Sequence, residues 1–559
     1  MTELTPATRS SPREPSIARR HYVLAALMLA AVYTAYLVLV SPQREFPLSD
    51  DWAYYQMVQH LLKTGVFQMS QWASTSLVVQ TYLAGGLAVL TGGFSFTSAR
   101  LLTLLTSYIG CVALYDLLLQ LSISRRGAML GALALAVNPL YIYLSYTFMS
   151  DVYFVTLLTL SLTCYVRGIK RDASGWLVLG SVLAAAAFLT RQIGLAIPAG
   201  VLLALWAKDR RFHWKLLLAA GVIPALVIVG YTLWLRFIHG LTWTLELNIV
   251  YGTTSFLREP AALPTIVLRL MFVMIYVGLF ALPIIIAQFF SRSMSREQRR
   301  QQLRVYGVWL AVLSTLVVIL LLTTGQIMPY LSNGINRAGF GPLSLEGHKA
   351  QLLPDWIFWL LTFLAPIVGA AQGAWWTDAV LHLRRESKLP SAPILLSSLL
   401  MLLLTLTTYW FWDEYLLVFI PLAIYLAARA CEISSRGMAI GAVISVGLFI
   451  FGVIGVGENL AWNTARWQVG QKLIAEGVPP ETINGGFEWV GWYEFETALP
   501  QALAQGKWAD QFAWASLTPD RYVLAFEALP GYRVVDTVPY ETPLLGHTGD
   551  VYVLTKDTP

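Results

Sequence analysis

The sequence predicts an all-α polytopic membrane protein with a small α/β domain at its C-terminal end. Three observations predict it. The chain of 559 residues is 57% hydrophobic and only 13% charged, with a mean hydropathy of +0.60; these are values of a protein whose solvent is largely lipid. Apolar runs long enough to cross about 30 Å of hydrocarbon recur along most of its length. After Gly457 the pattern changes: from Glu458 onward there are 6 Lys/Arg against 13 Asp/Glu, so an acidic tail follows a basic membrane part.

Residues 1–20 are polar, end in Arg19-Arg20, and read as a cytoplasmic tail. The run Tyr22–Val40 is too long for a signal-peptide core and lacks a clear small-residue cleavage site, which makes it a retained signal-anchor helix. Further spans are expected at Ala99–Ser122, Ala128–Phe148, Val152–Val166, Trp176–Thr190, Ile193–Ala207 and Trp214–Phe237. Thr265–Phe290, Val305–Thr323, Trp356–Ala379, Ile394–Trp410, Tyr415–Ala430 and Met438–Val456 complete about thirteen.

Basic residues decide the topology. The clusters are Arg125-Arg126, Arg167/Lys170/Arg171, Lys208/Arg210/Arg211, Arg292 to Arg304, Arg384/Arg385/Lys388 and Arg436. All fall on the side of the N-terminus if Leu77–Thr91 does not span, and all flip outward if it does. Positive charge favours the inside, so Leu77–Thr91 is expected to lie in the outer interface. The 20 Trp and 26 Tyr suit membrane–water boundaries. The expected organisation is a tail 1–20, a transmembrane domain 21–456 with a first outer loop 41–76, and an extracytoplasmic domain 457–559.

In that last region "AWNTARWQVGQKLIAEGVPP" reads as a helix ending at Gly477, and "GGFEWVGWYEF" as a glycine–aromatic segment. "RYVLAF", "YRVVDTVPY" and "DVYVLT" alternate like strands. The basic excess of the membrane part follows loop topology, which argues against nucleic acid as a partner. Cys111, Cys164 and Cys431 read as small buried hydrophobes without metal-ligand spacing. No Gly-rich phosphate loop follows a strand, so no nucleotide site is expected.

Chemistry-bearing residues gather on the outer face. "FPLSDDWAYYQ" places Asp50 and Asp51 in the first outer loop, where a carboxylate avoids the roughly 2.5–3.5 kcal/mol cost of the bilayer centre. Two readings stand for the pair: a cap on the helix Trp52–Thr64, or a base that takes a proton from an acceptor hydroxyl. "YTFMSDVYF" brings Asp151 to the same face, as a helix-start residue or a partner in that chemistry. "FLTRQIG" places Arg191 at an outer hairpin, as a topological anchor or a phosphate-gripping cation. "YWFWDEYLLVFIP" turns at Asp413 and Glu414. The outer loops Ile238–Pro264 and Thr324–Asp355 add His239, Glu246, Arg258, Arg337, Glu346, His348 and Lys349.

Taken in order, "PLSDDWAYYQMVQHLLKTGVF", "FTSARLLTLL", "NPLYIYLSYTFMSDVYFVTLLTL", "FLTRQIGL" and "DEYLLVFIPL" resemble a known group. They resemble bacterial relatives of the protein O-mannosyltransferases and the lipid A aminoarabinose transferase, the GT-C glycosyltransferases of the family 39/83 type, over roughly Ala25 to Pro421. The resemblance implies a sugar donor on a polyprenyl phosphate, used at the outer face of a bacterial inner membrane, and inverting transfer to an acceptor hydroxyl of a lipid, protein or polysaccharide. Asp50 would be the base, with Asp51 in the second acidic place and Asp151 as the later outer acid. Arg191, or a divalent metal ion, would stabilise the departing phosphate. Trp52, Tyr54, Tyr55, Asp413 and Tyr415 would line the substrate pocket, with interface anchoring as the other reading of the first three. One departure stands out: relatives often carry Arg before the Tyr where this chain has Glu414 before Tyr415.

A secondary transporter is the alternative from another class, and predicts ionisable residues near the midplane in two related halves. The acids here fall at span ends on one side. A lipid-linked polysaccharide ligase or polymerase is the alternative within transfer chemistry. A membrane scaffold explains the spans but not the convergence of Asp50, Asp51, Asp151 and Arg191.

Overall fold

The computed structural model describes residues 14–209, 213–252, 256–291, 296–510, 512–516 and 520–556. Most of the expected N-terminal tail and the basic residues Arg210, Arg211 and Arg292 lie outside them. Among the described residues, 8 helices are long and apolar enough to cross a membrane, or 9 if a bent pair is one span. The protein is therefore an integral, multi-pass, mostly helical membrane protein. Its lipid-facing character is visible in packing: only 11% of the Gln302–Thr324 window is buried. An apolar helix left so bare tolerates hydrocarbon, not water.

The expected spans fall on helices, but those at Trp176–Thr190, Ile193–Ala207, Ile394–Trp410 and Tyr415–Ala430 fall on α-helices of only 15, 14, 15 and 11 residues, and others are corrected. The span Ala128–Phe148 is broken into Arg125–Ala136 and Pro139–Ser145, which meet at 57°. Pro139 cannot donate an amide and clashes with the preceding turn, while Asn138 restarts the helix by accepting from the Tyr141 amide at 2.9 Å. The span Thr265–Phe290 is likewise two helices, Ala262–Phe280 and Leu282–Phe289, with Pro283 in the first turn of the second. The expected boundary at 457 falls inside one helix, Ser435–Ala475. Its 41 residues, at 1.5 Å each, extend about 60 Å, twice the hydrocarbon thickness. The C-terminal region is thus carried on a continuous rod rather than a linker. The first helix also begins earlier than expected, at Glu14.

The expected interfacial segment is the helix Val78–Thr91, whose 14 residues span only about 21 Å. Its first turn has no side-chain cap. Instead the Leu77 and Val78 amides donate to the Thr190 and Leu189 carbonyls at 3.2 and 2.9 Å, which docks it on the hairpin carrying Arg191. Gly92, at φ +78°, ends it in the left-handed conformation that glycine adopts freely.

Two small sheets complete the fold. A hairpin pairs β1 (Ile335–Asn336) with β2 (Gly339–Phe340). The C-terminal sheet contains β3 (Ile483–Asn484), β4 (Tyr522–Ala525), β5 (Tyr532–Thr542) and β6 (Gly546–Lys556) in the order β3-β4-β6-β5. The three expected strands are β4, β5 and β6, all antiparallel neighbours; β3 adds a parallel edge. Two helices, Phe487–Tyr493 and Phe495–Ala504, connect β3 to β4. They pack on the segment from Asp51 to Trp72 through rings: Phe495 meets Trp52 at 5.0 Å, and Phe487 meets Trp72 at 5.5 Å. Aromatic pairs of this kind add to the area they bury.

Candidate functional site

The segment between the first helix, Glu14–Leu39, and the helix Asp51–Thr64 is shaped by Arg100, on the helix Phe96–Gln120. Its buried guanidinium donates to the carbonyls of Arg44, Phe46 and Tyr146 and lies 5.2 Å from the Phe46 ring. A charge that deep needs every donor matched, and the loop carbonyls match it. The chain then turns at Ser49 and Asp50 into the helix Asp51–Thr64.

A cavity of about 560 Å³ opens beside this turn. Asp50, Tyr54, Asp151, Arg191 and Tyr415 line it, all expected site residues. Asp50 makes no side-chain cap hydrogen bond. Its Oδ1 accepts instead from Trp72 Nε1 at 2.9 Å. Enclosure by protein pushes the Asp50 carboxyl up to about 6; the Trp72 bond opposes this, the charges of Glu488 and Asp151 add to it, and Arg191 lowers it. A carboxylate so tuned is ionised at neutral pH yet basic enough to hold a proton.

Asp151 sits in the first turn of Ser150–Arg171, where negative charge suits the helix dipole. It is 3% exposed and paired with Arg191 through Oδ1. Its Oδ2 has no hydrogen-bond partner among the described residues. Arg191 also donates to Ser150 Oγ at 3.4 Å and lies 5.2 Å from the Tyr415 ring. The guanidinium is thus aimed by a carboxylate, a hydroxyl and a ring, with the cavity before it.

Four expected site residues do not line the cavity. Asp51 is 1% exposed and accepts from the Leu48 amide at 2.6 Å and the Phe148 amide at 3.2 Å. It ties this segment to the chain just after the helix Pro139–Ser145. Asp413 accepts from the Gly334 and Ile335 amides at 2.9 and 3.0 Å and anchors the β1–β2 hairpin. Trp52 belongs to the aromatic cluster under the C-terminal region, and the Tyr55 hydroxyl donates to the Phe94 carbonyl at 2.7 Å.

This placement gives a prediction for Asp51→Ala. The buried Leu48 and Phe148 amides lose their acceptor, at about 1–3 kcal/mol each, so thermal unfolding moves down while turnover per folded molecule stays within a few-fold. Burial pushes Asp51 up to about 7, against the pull of Arg100. A folded-state value above the ordinary one means the protonated form favours folding. That contribution is full below about 4 and lost as pH rises through about 7. Melting curves of native and Asp51→Ala protein between those pH values check both statements. Turnover lost at unchanged stability would return Asp51 to the chemistry.

Sequence reasoning missed several lining residues: Trp72, Tyr143, Asn333, Asn484 and Phe487. Glu414 lines the cavity where relatives of the expected family often have Arg, and accepts from Asn333 Nδ2 at 3.0 and 3.1 Å. The "GGFEW" segment gave a signal in its glycines and rings, but nothing in it tells which surface it meets. Among the described residues, no three His, Cys, Asp or Glu side chains gather to hold a metal ion. His239 accepts from the Met69 amide at 3.0 Å and so fastens two segments far apart in the chain.

Residues 76–234 match the family model described as dolichyl-phosphate-mannose-protein mannosyltransferase. The resemblance carried by the motifs is borne out over that stretch, which holds Asp151 and Arg191 but begins after Asp50. Among solved structures, the oligosaccharyltransferase AglB from Archaeoglobus fulgidus, in complex with an inhibitory peptide and a dolichol-phosphate, is 10% identical. The match covers 78% of this chain and 56% of that one, with a TM-score of 0.40. ArnT from Cupriavidus metallidurans bound to undecaprenyl phosphate is 14% identical, with 97% and 98% covered and a TM-score of 0.39. Its apo state is 16% identical, with 96% and 98% covered and a TM-score of 0.37. The chain spans about half the length of the archaeal enzyme. At these identities and scores the likenesses stand as likenesses only. No curated protein matches by sequence.

Proposed function

We propose that this chain is a membrane glycosyltransferase that moves a sugar from a polyprenyl-phosphate donor to an acceptor hydroxyl at the outer face of a bacterial inner membrane. One observation carries the reading: the Asp50 carboxylate, held by Trp72, and the Arg191 guanidinium, aimed by Asp151, line the same cavity. The family match over residues 76–234 supports the donor class.

In this reading Asp50 takes the proton of the acceptor hydroxyl as that oxygen attacks the anomeric carbon. The bond from that carbon to the phosphate oxygen breaks, and the lipid phosphate leaves with its charge held by Arg191. Attack opposite the leaving group inverts the anomeric centre. Asp151 holds Arg191 in place and offers its unpartnered oxygen to a sugar hydroxyl. Tyr54 and Tyr415 supply ring faces for the sugar. The helix Val78–Thr91 guides the polyprenyl chain towards the hairpin on which it is docked. Thirteen crossings follow if the bent pair Arg125–Ala136 and Pro139–Ser145 is one span and the shorter helices Ser174–Phe188, Ala196–Asp209, Ala392–Leu406 and Ile420–Ala430 cross with the 8 longer ones. The N-terminus is then cytoplasmic and the C-terminal region extracytoplasmic.

The test is transfer of radiolabelled sugar from a panel of polyprenyl-phosphate donors to cell-envelope fractions by membranes holding the native chain. Label in one fraction identifies the acceptor class; no transfer from any donor removes the reading. The pH dependence is a second expectation. Asp50 works only when ionised, so kcat/KM falls as pH drops through about 6, a value set by burial, Trp72, Glu488, Asp151 and Arg191. A profile flat between pH 5 and 7 would separate Asp50 from the proton transfer.

A further inference from the structure

Asp50 stands in an unusual stretch of backbone. Ser49 has φ +53°, in the left-handed region that side chains disfavour. Asp50 follows at φ −82° and ψ 2°, in the sparsely populated bridge region. Two such residues in succession persist only where the surroundings over-determine them. The Ser49 hydroxyl meets the Tyr143 hydroxyl at 3.1 Å, and Trp72 holds the Asp50 carboxylate.

The Ser49 amide is held from far away in the chain. It donates to Glu488 Oε1 at 3.1 Å, across 439 residues of sequence. Glu488 belongs to the C-terminal helix Phe487–Tyr493 and is 2% exposed. Its Oε2 accepts from Arg466 on the long helix Ser435–Ala475, at 2.9 Å. Arg466 is fully buried and also donates to Ser344 Oγ at 2.7 Å. The Glu488 carboxylate therefore joins the strained corner to the rod, and Arg466 carries the connection on to the loop that follows the β1–β2 hairpin. Its neighbours Gly486 and Phe487 line the cavity itself.

We infer that Glu488 is a positioning residue for Asp50: by accepting the Ser49 amide it locks the Ser49–Asp50 corner, so the C-terminal segment completes the reaction centre of the transmembrane part. The inference rests on the reading of Asp50 as the base. A buried ion pair alone needs only its two partners, whereas this carboxylate spends one oxygen on the backbone that aims the base. A misplacement of about 1 Å at such a point costs on the order of 100-fold in rate.

The test compares two double variants of the full chain, Glu488→Gln with Arg466→Met and Glu488→Ala with Arg466→Met. Both remove the buried charge pair, and only the first keeps a side-chain carbonyl for the Ser49 amide. With positioning, kcat of the Gln variant exceeds that of the Ala variant by at least about tenfold at equal donor KM and equal melting temperature. Adding the Ala pair to Asp50→Asn then produces no further loss. Equal kcat in the two doubles, with Asp50→Asn inactive, overturns the inference and leaves the base reading intact. Native turnover by Asp50→Asn overturns both. If the Ala pair does not reach the membrane folded, Glu488→Asp replaces it. That change keeps the charge and withdraws the carboxylate by one methylene: kcat falls at unchanged KM, and native kcat overturns the inference.

Discussion

Asp50→Asn is expected to lower sugar transfer by roughly 10²–10⁴ while the protein keeps its fold and its affinity for a polyprenyl phosphate. The substitution is nearly isosteric, and the amide oxygen still accepts from Trp72 Nε1 in place of the carboxylate Oδ1. What disappears is the capacity to take a proton. The stability effect is small because Asp50 makes no cap bond for the helix that follows it. Replacing the Asp50 charge also relieves burial that pushes its carboxyl up to about 6, which favours folding at neutral pH. Single-turnover transfer and lipid-phosphate binding, measured on the same preparation, separate chemistry from binding. Unchanged transfer would send the search for the base to Asp151, the other expected acid that lines the cavity.

The second large effect is at Arg191. A fixed cation at the departing phosphate contributes through charge that develops as the bond breaks, an effect of about 10²–10³ in kcat for one donor. Removing it alone would strand Asp151, which is 3% exposed, and breaking a buried pair costs about 3–5 kcal/mol. The informative variant is therefore Arg191→Met with Asp151→Asn, beside Arg191→Lys. The double variant is expected to fold, to lose kcat by that factor, and to bind polyprenyl phosphate weakly. Arg191→Lys keeps a charge but not the planar group that rests on Tyr415, and falls between the two. Native kcat and native lipid-phosphate affinity in the double variant would reduce Arg191 to a membrane anchor.

The two tests bear on different parts of the family evidence. Arg191 and Asp151 lie within the matched stretch 76–234, whereas Asp50 lies before it. The role of Asp50 is therefore carried by geometry: the cavity, the Trp72 bond and the enclosure that raises its carboxyl. Local pattern did not separate Asp51 from it; only the resemblance placed Asp50 first and Asp51 second. Adjacent residues at a helix start point in different directions, and the helix Asp51–Thr64 turns one to the cavity and the other to the Leu48 and Phe148 amides.

Pattern alone shows that the chain lives in a membrane and which segments form its apolar helices, though not that the first helix starts at Glu14 or that the last continues to Ala475. These follow from quantities each segment carries alone: the length of an apolar run, the charge beside it, the alternation of a strand. It also determined β4, β5 and β6, whose alternation needs no partner to be visible. Only the tertiary structure decided that Pro139 breaks a span, that Ser435–Ala475 runs unbroken past Gly457, and which of the paired acids meets the cavity. Only it could bring Glu488 to Ser49, because a hydrogen bond across 439 residues leaves no period, spacing or composition behind in either segment. Local pattern records how a segment meets its solvent, whereas a site is made where distant segments meet each other.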